Sequence, residues 1–116
     1  MANRLRNEID ITLKGKKYVM RANFEAMSAI EADLKMGLIP LITHIGQYNF
    51  GVKQCATIIH HGLTAYGDES LTYPQVGDAV MHEGVGALMG KLVDFLNLGM
   101  EGVKMGKSEE AEAPQA

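Results

Sequence analysis

Only one part of the chain carries the alternating pattern of β-strands, and this feature limits the fold more than any other. Apolar and polar residues alternate from Asn7 to Leu13, and after a turn at Gly15 the alternation resumes from Lys17 to Arg21. The two runs predict a β-hairpin. Because an isolated hairpin is only marginally stable in water, it must pack on helices or pair with a strand of another molecule.

The remaining pattern up to Leu98 is helical, with apolar residues three and four positions apart and glycines between the runs. Asn23 and Thr72 are placed as N-caps, and Gly37 and Gly67 are placed as left-handed helix exits. The five predicted helices cover residues 24–36, 38–45, 52–66, 73–83 and 85–98.

These elements predict an α+β domain in which the N-terminal β-hairpin packs on about five short α-helices. The chain has 116 residues, of which 47% are hydrophobic, enough for one core without disulfides. The domain is expected to cover residues 1–99. Residues 100–116 lose the helical pattern and contain an acidic run from Ser108 to Glu112. We therefore expect a disordered, acidic C-terminal segment.

Cysteine and histidine positions weigh against metal, cofactor and catalytic sites. The single Cys55 excludes an internal disulfide and falls on the apolar face of the third helix, where burial makes a thiol inert. His60 and His61 are adjacent, so a helix points them about 100° apart, and His82-Glu83 lacks the second histidine of a zinc-protease helix. We expect no metal, no cofactor, no small-molecule substrate and no catalytic residue, and an enzyme or metalloprotein is the weakest alternative.

Charge is divided unevenly along a chain whose formal net charge is −3. Residues 1–21 carry six basic and two acidic side chains, whereas the rest carries five basic and twelve acidic ones. The bases are not interleaved with stacking aromatic residues, so we expect no nucleic-acid binding. The most apolar stretch, residues 85–98, contains Lys91 and Asp94 and is too short to span a bilayer. With no apolar leader at its start, the sequence predicts a cytosolic (cytoplasmic) protein without membrane contact.

Several apolar or small residues fall outside the predicted buried faces and are candidate contacts for a partner protein. Ile58 departs from the apolar face of the third helix, and Gly86, Gly90, Val93 and Asn97 form a strip of small residues on the fifth helix. Methionine suits the binding of varied apolar partners because its side chain is flexible. The methionines at predicted helix margins or ends are Met36, Met81, Met100 and Met105. The favoured interpretation of the strip is that another helix of this chain covers it, and a helix of a partner is the alternative. For any single methionine, filling a gap in the core is favoured over contact with a partner.

The order of these elements resembles a family of small tail proteins found in gene transfer agents and long-tailed prophages. The resemblance covers residues 4–98 and consists of a hairpin, a Phe-led helix with an Ile-Glu pair, and a Gly-Leu-x-x-x-Gly exit. Its marker residues are Phe24, Ile30, Glu31, Gly37, Gly62, Leu63 and Gly67. Glu31, near the apolar stripe of the first helix, is expected to bond a neighbouring backbone group. His60 and His61 depart from the family pattern.

The resemblance implies a role in building a phage-type tail, since members are described either as tail-assembly chaperones or as tail-tube proteins. A chaperone would keep the long, helical, apolar tape-measure protein soluble in the cytosol while tube subunits polymerise around it. A tube subunit normally needs a sheet broad enough to close into a ring, which two predicted strands do not provide. We therefore expect a chaperone that binds the tape-measure protein and possibly tail-tube subunits. The alternative is a structural tail-tube or tail-end subunit, and self-association through the hairpin edge stays open.

Overall fold

The computed structural model describes residues 2–101, and within them the predicted α+β architecture is confirmed. A short 3₁₀ turn, Arg4–Arg6, leads into strands β1, Glu8–Leu13, and β2, Lys16–Arg21. The five helices follow in chain order as α1, Phe24–Leu34; α2, Leu38–Gly46; α3, Val52–Tyr66; α4, Tyr73–Glu83; and α5, Val85–Glu101. None of these helices is long and apolar enough to cross a membrane.

The hairpin is closed by a two-residue turn at Lys14 and Gly15, whose φ angles are 52° and 79°. Positive φ at both central positions is typical of the type I′ turn, which matches the twist of antiparallel strands. The Lys14 N–H donates to Glu83 Oε2 at 2.7 Å, so the turn is attached to the end of α4. Ile9 lies opposite Met20 in the register, and both side chains are buried. One face of the hairpin therefore contributes to the core.

Helix boundaries follow the local capping chemistry that the sequence indicates. The Asn23 side chain accepts a hydrogen bond from the Ala26 N–H at 2.9 Å, and Thr72 caps α4 in the same way. Gly67 ends α3 in the left-handed conformation, with φ 98°. The predicted exit at Gly37 is wrong. Lys35 makes the left-handed exit of α1, and Gly37 instead precedes α2 with an ordinary φ of −71°.

Helix α3 lies at the centre of the molecule and contacts β2, α1, α4 and α5. A Cβ atom at Gly62 would lie 2.9 Å from the Cβ of Met20 and 2.9 Å from the Cζ of Phe95, closer than real side-chain atoms approach. Both of those side chains are fully buried. Glycine at position 62 is therefore required for the approach of the hairpin and α5 to α3.

Two predicted positions are corrected by this central packing. Ile58, predicted to be exposed, is fully buried, because α3 has neighbours on several sides and its buried face is wider than one apolar stripe. Phe24 shares the helical spacing of Met27, Ile30 and Leu34, which predicts an inward side chain, but it is 83% exposed. The buried residues of α1 are Ala26, Met27 and Ile30, and Phe24 lies about 110° from the centre of the face that they form.

Helix α5 continues three residues beyond its predicted end. Met100 and Glu101, placed by the sequence in the C-terminal segment, are its last described residues. The rest of the segment that was expected to be disordered, residues 102–116, lies outside the described residues, and so does Met105.

Candidate partner-binding groove

An open groove lies between the C-terminal end of α2 and the first half of α5, with a volume of about 310 Å³. Its lining residues are Ile45, Gly46, Tyr48, Gly86, Met89, Gly90 and Val93. None of them carries a formal charge at neutral pH. The structure thus places three of the four residues of the predicted small-residue strip in the groove, without Asn97, and adds an aromatic side chain that the sequence pattern does not indicate.

Two glycines of α5 form part of the groove wall and leave it without side chains there. Gly86 and Gly90 are four residues apart on α5 and therefore share one helix face. At either position, a Cβ atom would meet no neighbouring atom of the described chain within 4 Å. The interpretation that another helix of this chain covers the strip is therefore wrong for residues 2–101. Val93 differs, since its side chain is half-buried and packs against the core.

Tyr48 projects from the turn after α2 and is 83% exposed. Its φ angle of 60° is uncommon for a residue with a side chain. The conformation is fixed by hydrogen bonds from the Tyr48 N–H to the Ile45 carbonyl, at 3.0 Å, and from the Asn49 N–H to the His44 carbonyl, at 2.8 Å. These bonds fix the backbone at Tyr48 and not its side chain. A tyrosine has only two side-chain torsions to lose on binding, and tyrosine is enriched among energetically dominant interface residues.

The charged residues of α5 lie away from the groove. Asp94 is paired with Arg4 at 3.1 Å, and Lys91 lies 3.7 Å from Asp10. These pairs join α5 to the N-terminal turn and β1 on another side of the helix. The groove is consequently lined by uncharged residues, and its surface is more apolar than polar, as expected for a site that accepts apolar side chains rather than ions.

The other candidate contact residues do not join the groove. Ile58 belongs to the core, so its role as a partner contact is not supported. Met36 is half-buried against the core. Met81 is 67% exposed on α4, and Met100 is exposed near the end of α5, but neither lines the groove.

The marker residues of the family resemblance have mainly structural positions. Ile30 and Leu63 are buried in the core beside Gly62. Glu31 is exposed, and its Oε2 accepts a hydrogen bond from the Leu38 N–H at 3.1 Å, the kind of backbone bond that the sequence predicted. This bond connects α1 to the first residue of α2.

The thiol and the potential metal ligands considered in the sequence have the following surroundings in residues 2–101. Cys55 is buried, and burial raises the pKa of its thiol to about 12, which leaves the thiol protonated and unreactive at neutral pH. Among residues 2–101, no group of three or more His, Cys, Asp or Glu side chains is placed to hold a metal ion.

Comparison with known families decides the broader identity. A family model described as "Phage tail tube protein, GTA-gp10" matches residues 6–102. The chain belongs to this family. The resemblance to tail proteins of phages and gene transfer agents is thereby confirmed. The match includes the hairpin, all five helices and every lining residue of the groove. No curated protein and no solved structure matches the chain significantly.

Proposed function

We propose that this tail protein is a tail-assembly chaperone that binds apolar helical segments of the tape-measure protein in the cytosol, before the tail is complete. The observation that carries the proposal is the open, uncharged groove in which Gly86 and Gly90 face empty space beside exposed Tyr48. We assign it no catalytic step.

The shape of the groove favours a helix as its ligand. Small residues one helical turn apart allow a second backbone to approach closely, and the apolar walls then receive the side chains of that helix. A volume of about 310 Å³ holds a few side chains, so one contact is expected to be weak. Several copies bound along one long tape-measure chain would together give the stable association that a single groove does not.

A structural tail-tube or tail-end subunit is the second candidate, and the description of the family supports it. Within residues 2–101, the only sheet has two strands, so each strand has an edge that no other strand occupies. A tube built from this fold would need these edges to pair between neighbouring copies. This requirement distinguishes the two candidates, because a chaperone needs the groove and a tube subunit needs the edges.

Co-expression with the tape-measure protein tests the leading candidate. The native chain is expected to keep that protein soluble and to co-purify with it, whereas Gly90→Leu, which fills the groove, should lose both effects. Gly77→Leu is the matched control, because Gly77 also lies inside a helix and also faces open space, but on α4. Equal co-purification of all three chains would contradict the proposal. So would finding the native chain in many copies in purified tails.

A further inference from the structure

A second pocket, of about 440 Å³, lies on the other helices of the molecule, and it is lined by polar and charged residues whose apolar atoms form most of its surface. Its lining residues are Asp33 on α1, Lys53, Thr57, His60 and His61 on α3, and Tyr73 at the start of α4. The pocket shares no residue with the groove between α2 and α5. The proposed function makes no use of it.

Two hydroxyl groups in this pocket are poorly satisfied by the protein. Thr57 is only 5% exposed, and its Oγ1 lies 3.5 Å from the Tyr73 hydroxyl oxygen. This separation is longer than the usual range of about 2.5–3.0 Å for a hydrogen bond between oxygens. In the described part of the chain, the Thr57 hydroxyl has no other hydrogen-bond partner. One ligand oxygen placed between the two hydroxyls would accept a hydrogen bond from each.

The charged groups of the pocket favour an anionic ligand. The single carboxylate, that of Asp33, already contacts His61 Nε2 at 2.6 Å. Lys53 has no ion-pair partner among residues 2–101. The His60 ring lies 5.8 Å from the Tyr73 ring, on the same side of the site. Lys53 can only donate hydrogen bonds, and each of the two hydroxyls has one proton to donate, so these three groups can together bind a carboxylate.

We propose that this pocket binds carboxylate groups and that its occupant is the acidic run of this same chain, residues 108–112. The run supplies Glu109, Glu110 and Glu112. Their carboxylates would accept hydrogen bonds from the Thr57 and Tyr73 hydroxyls and pair with Lys53.

The run is within reach of the pocket. Gly99, near the end of α5, packs directly against Met27 of α1, leaving no room for a Cβ atom. Asp33 is six residues further along α1, which corresponds to about 9 Å along the helix axis. Seven residues, 102–108, separate Glu101 from Glu109, and the eight steps between the two Cα atoms span up to about 26 Å in an extended chain. The connecting segment is thus longer than the distance along α1 requires.

His60 provides a spectroscopic report on occupancy. In the described structure, burial and then the charge of neighbouring His61 lower the pKa of His60. Bound carboxylates would oppose this lowering, because a negative charge favours the protonated ring. The other titratable groups that face His60 across the pocket are Asp33, Lys53, His61 and Tyr73.

The test compares the native full-length chain with the triple variant Glu109→Gln, Glu110→Gln, Glu112→Gln by NMR titration of the His60 ring at low salt. His60 is expected to bind protons at least threefold more weakly in the triple variant, and 0.5 M NaCl should remove most of the difference. The single variant Glu25→Gln, an exposed site in the first turn of α1, is the control and should titrate like the native chain.

Adding a synthetic peptide of residues 107–113 to the triple variant should shift the Thr57 and His60 resonances, while its all-Gln counterpart should not. Thr57→Val in the triple variant should weaken this binding several-fold. Identical His60 titrations in the native and triple-variant chains would overturn the proposal, as would a peptide without effect. If the difference in His60 titration between the native chain and the triple variant grew with protein concentration, the acidic run would be binding to another copy. That result would overturn the assignment to the same chain.

Discussion

Gly62 in α3 and Gly90 in α5 are the same residue type in the interior of two helices, yet their surroundings are opposite. A Cβ atom at Gly62 would collide with Met20 and Phe95, whereas a Cβ atom at Gly90 would meet nothing within 4 Å. Gly62 lets three elements of the core approach one another. Gly90 leaves part of the groove wall without a side chain.

The difference matters because glycine is costly in a helix, by about 1 kcal/mol relative to alanine. At Gly62 the close packing of the core offsets this cost. At Gly90, and equally at Gly77, nothing in the described chain offsets it, so the folding of this chain alone does not explain these residues. At Gly90, which lines the groove, a partner that needs close approach would explain it, and the following variants are ordered by the size of the effect that this account expects.

Removing side-chain volume from the region around α3 should have the largest effect. Ile58 is fully buried, so Ile58→Ala leaves a cavity in the core. We expect a loss of about 2–5 kcal/mol in the free energy of unfolding. Ile39→Ala is the control, since Ile39 is 71% exposed. Urea denaturation measures both variants. A loss below about 1 kcal/mol for Ile58→Ala would mean that α3 is less tightly enclosed than the structure shows.

Adding volume in the same region should be the next most harmful change. Gly62→Ala places a methyl group against Met20 and Phe95, and overpacking of this kind costs about 1–3 kcal/mol despite the better helix propensity of alanine. The expected decrease in Tm, followed by calorimetry, is about 4–8 °C for each kcal/mol. A chain with unchanged Tm would remove the contrast between the two glycines.

At the groove the same substitution should act in the opposite direction. Gly90→Ala gains helix propensity without a steric conflict, so we expect the free energy of unfolding to rise by about 0.5–1 kcal/mol in urea denaturation. Gly77→Ala, at an open helical position on α4, should give a similar gain. A destabilisation by Gly90→Ala would show that this position is packed against something in the free chain.

Exposed apolar residues outside both regions should have the smallest effect. Phe24→Ser and Met81→Gln remove exposed side chains, and we expect each to change the free energy of unfolding by less than about 0.5 kcal/mol. The measurement is again urea denaturation. A large loss from Phe24→Ser would restore Phe24 to the core, where its spacing in the sequence had placed it.

The sequence predicts the features that depend on neighbouring residues along the chain. The hairpin follows from alternation around Gly15, and the caps at Asn23 and Thr72 follow from side chains that accept nearby N–H groups. Helical periodicity likewise gives the starts of all five helices. These signals are local, and tertiary packing does not override them here.

The sequence does not predict features that depend on which helices and strands pack against one another. One apolar stripe on α3 does not show that neighbours on several sides also bury Ile58. The spacing that includes Phe24 in the stripe of α1 does not show where the core ends. Tyr48 follows a helix exit with no periodic pattern, so no local signal indicates that it borders a groove. The glycine strip was found because spacing alone places Gly86 and Gly90 on one face.

The most direct test of the account is protection of the groove from a thiol reagent in the complex. Native Cys55 is buried and its pKa is raised to about 12, so a maleimide at pH 8 would label only a thiol introduced by Gly90→Cys or by Gly77→Cys. In the free chain, both introduced thiols should react at similar rates. With the tape-measure protein bound, position 90 should be protected at least tenfold and position 77 should remain reactive. Equal labelling at the two positions in the complex would contradict the account.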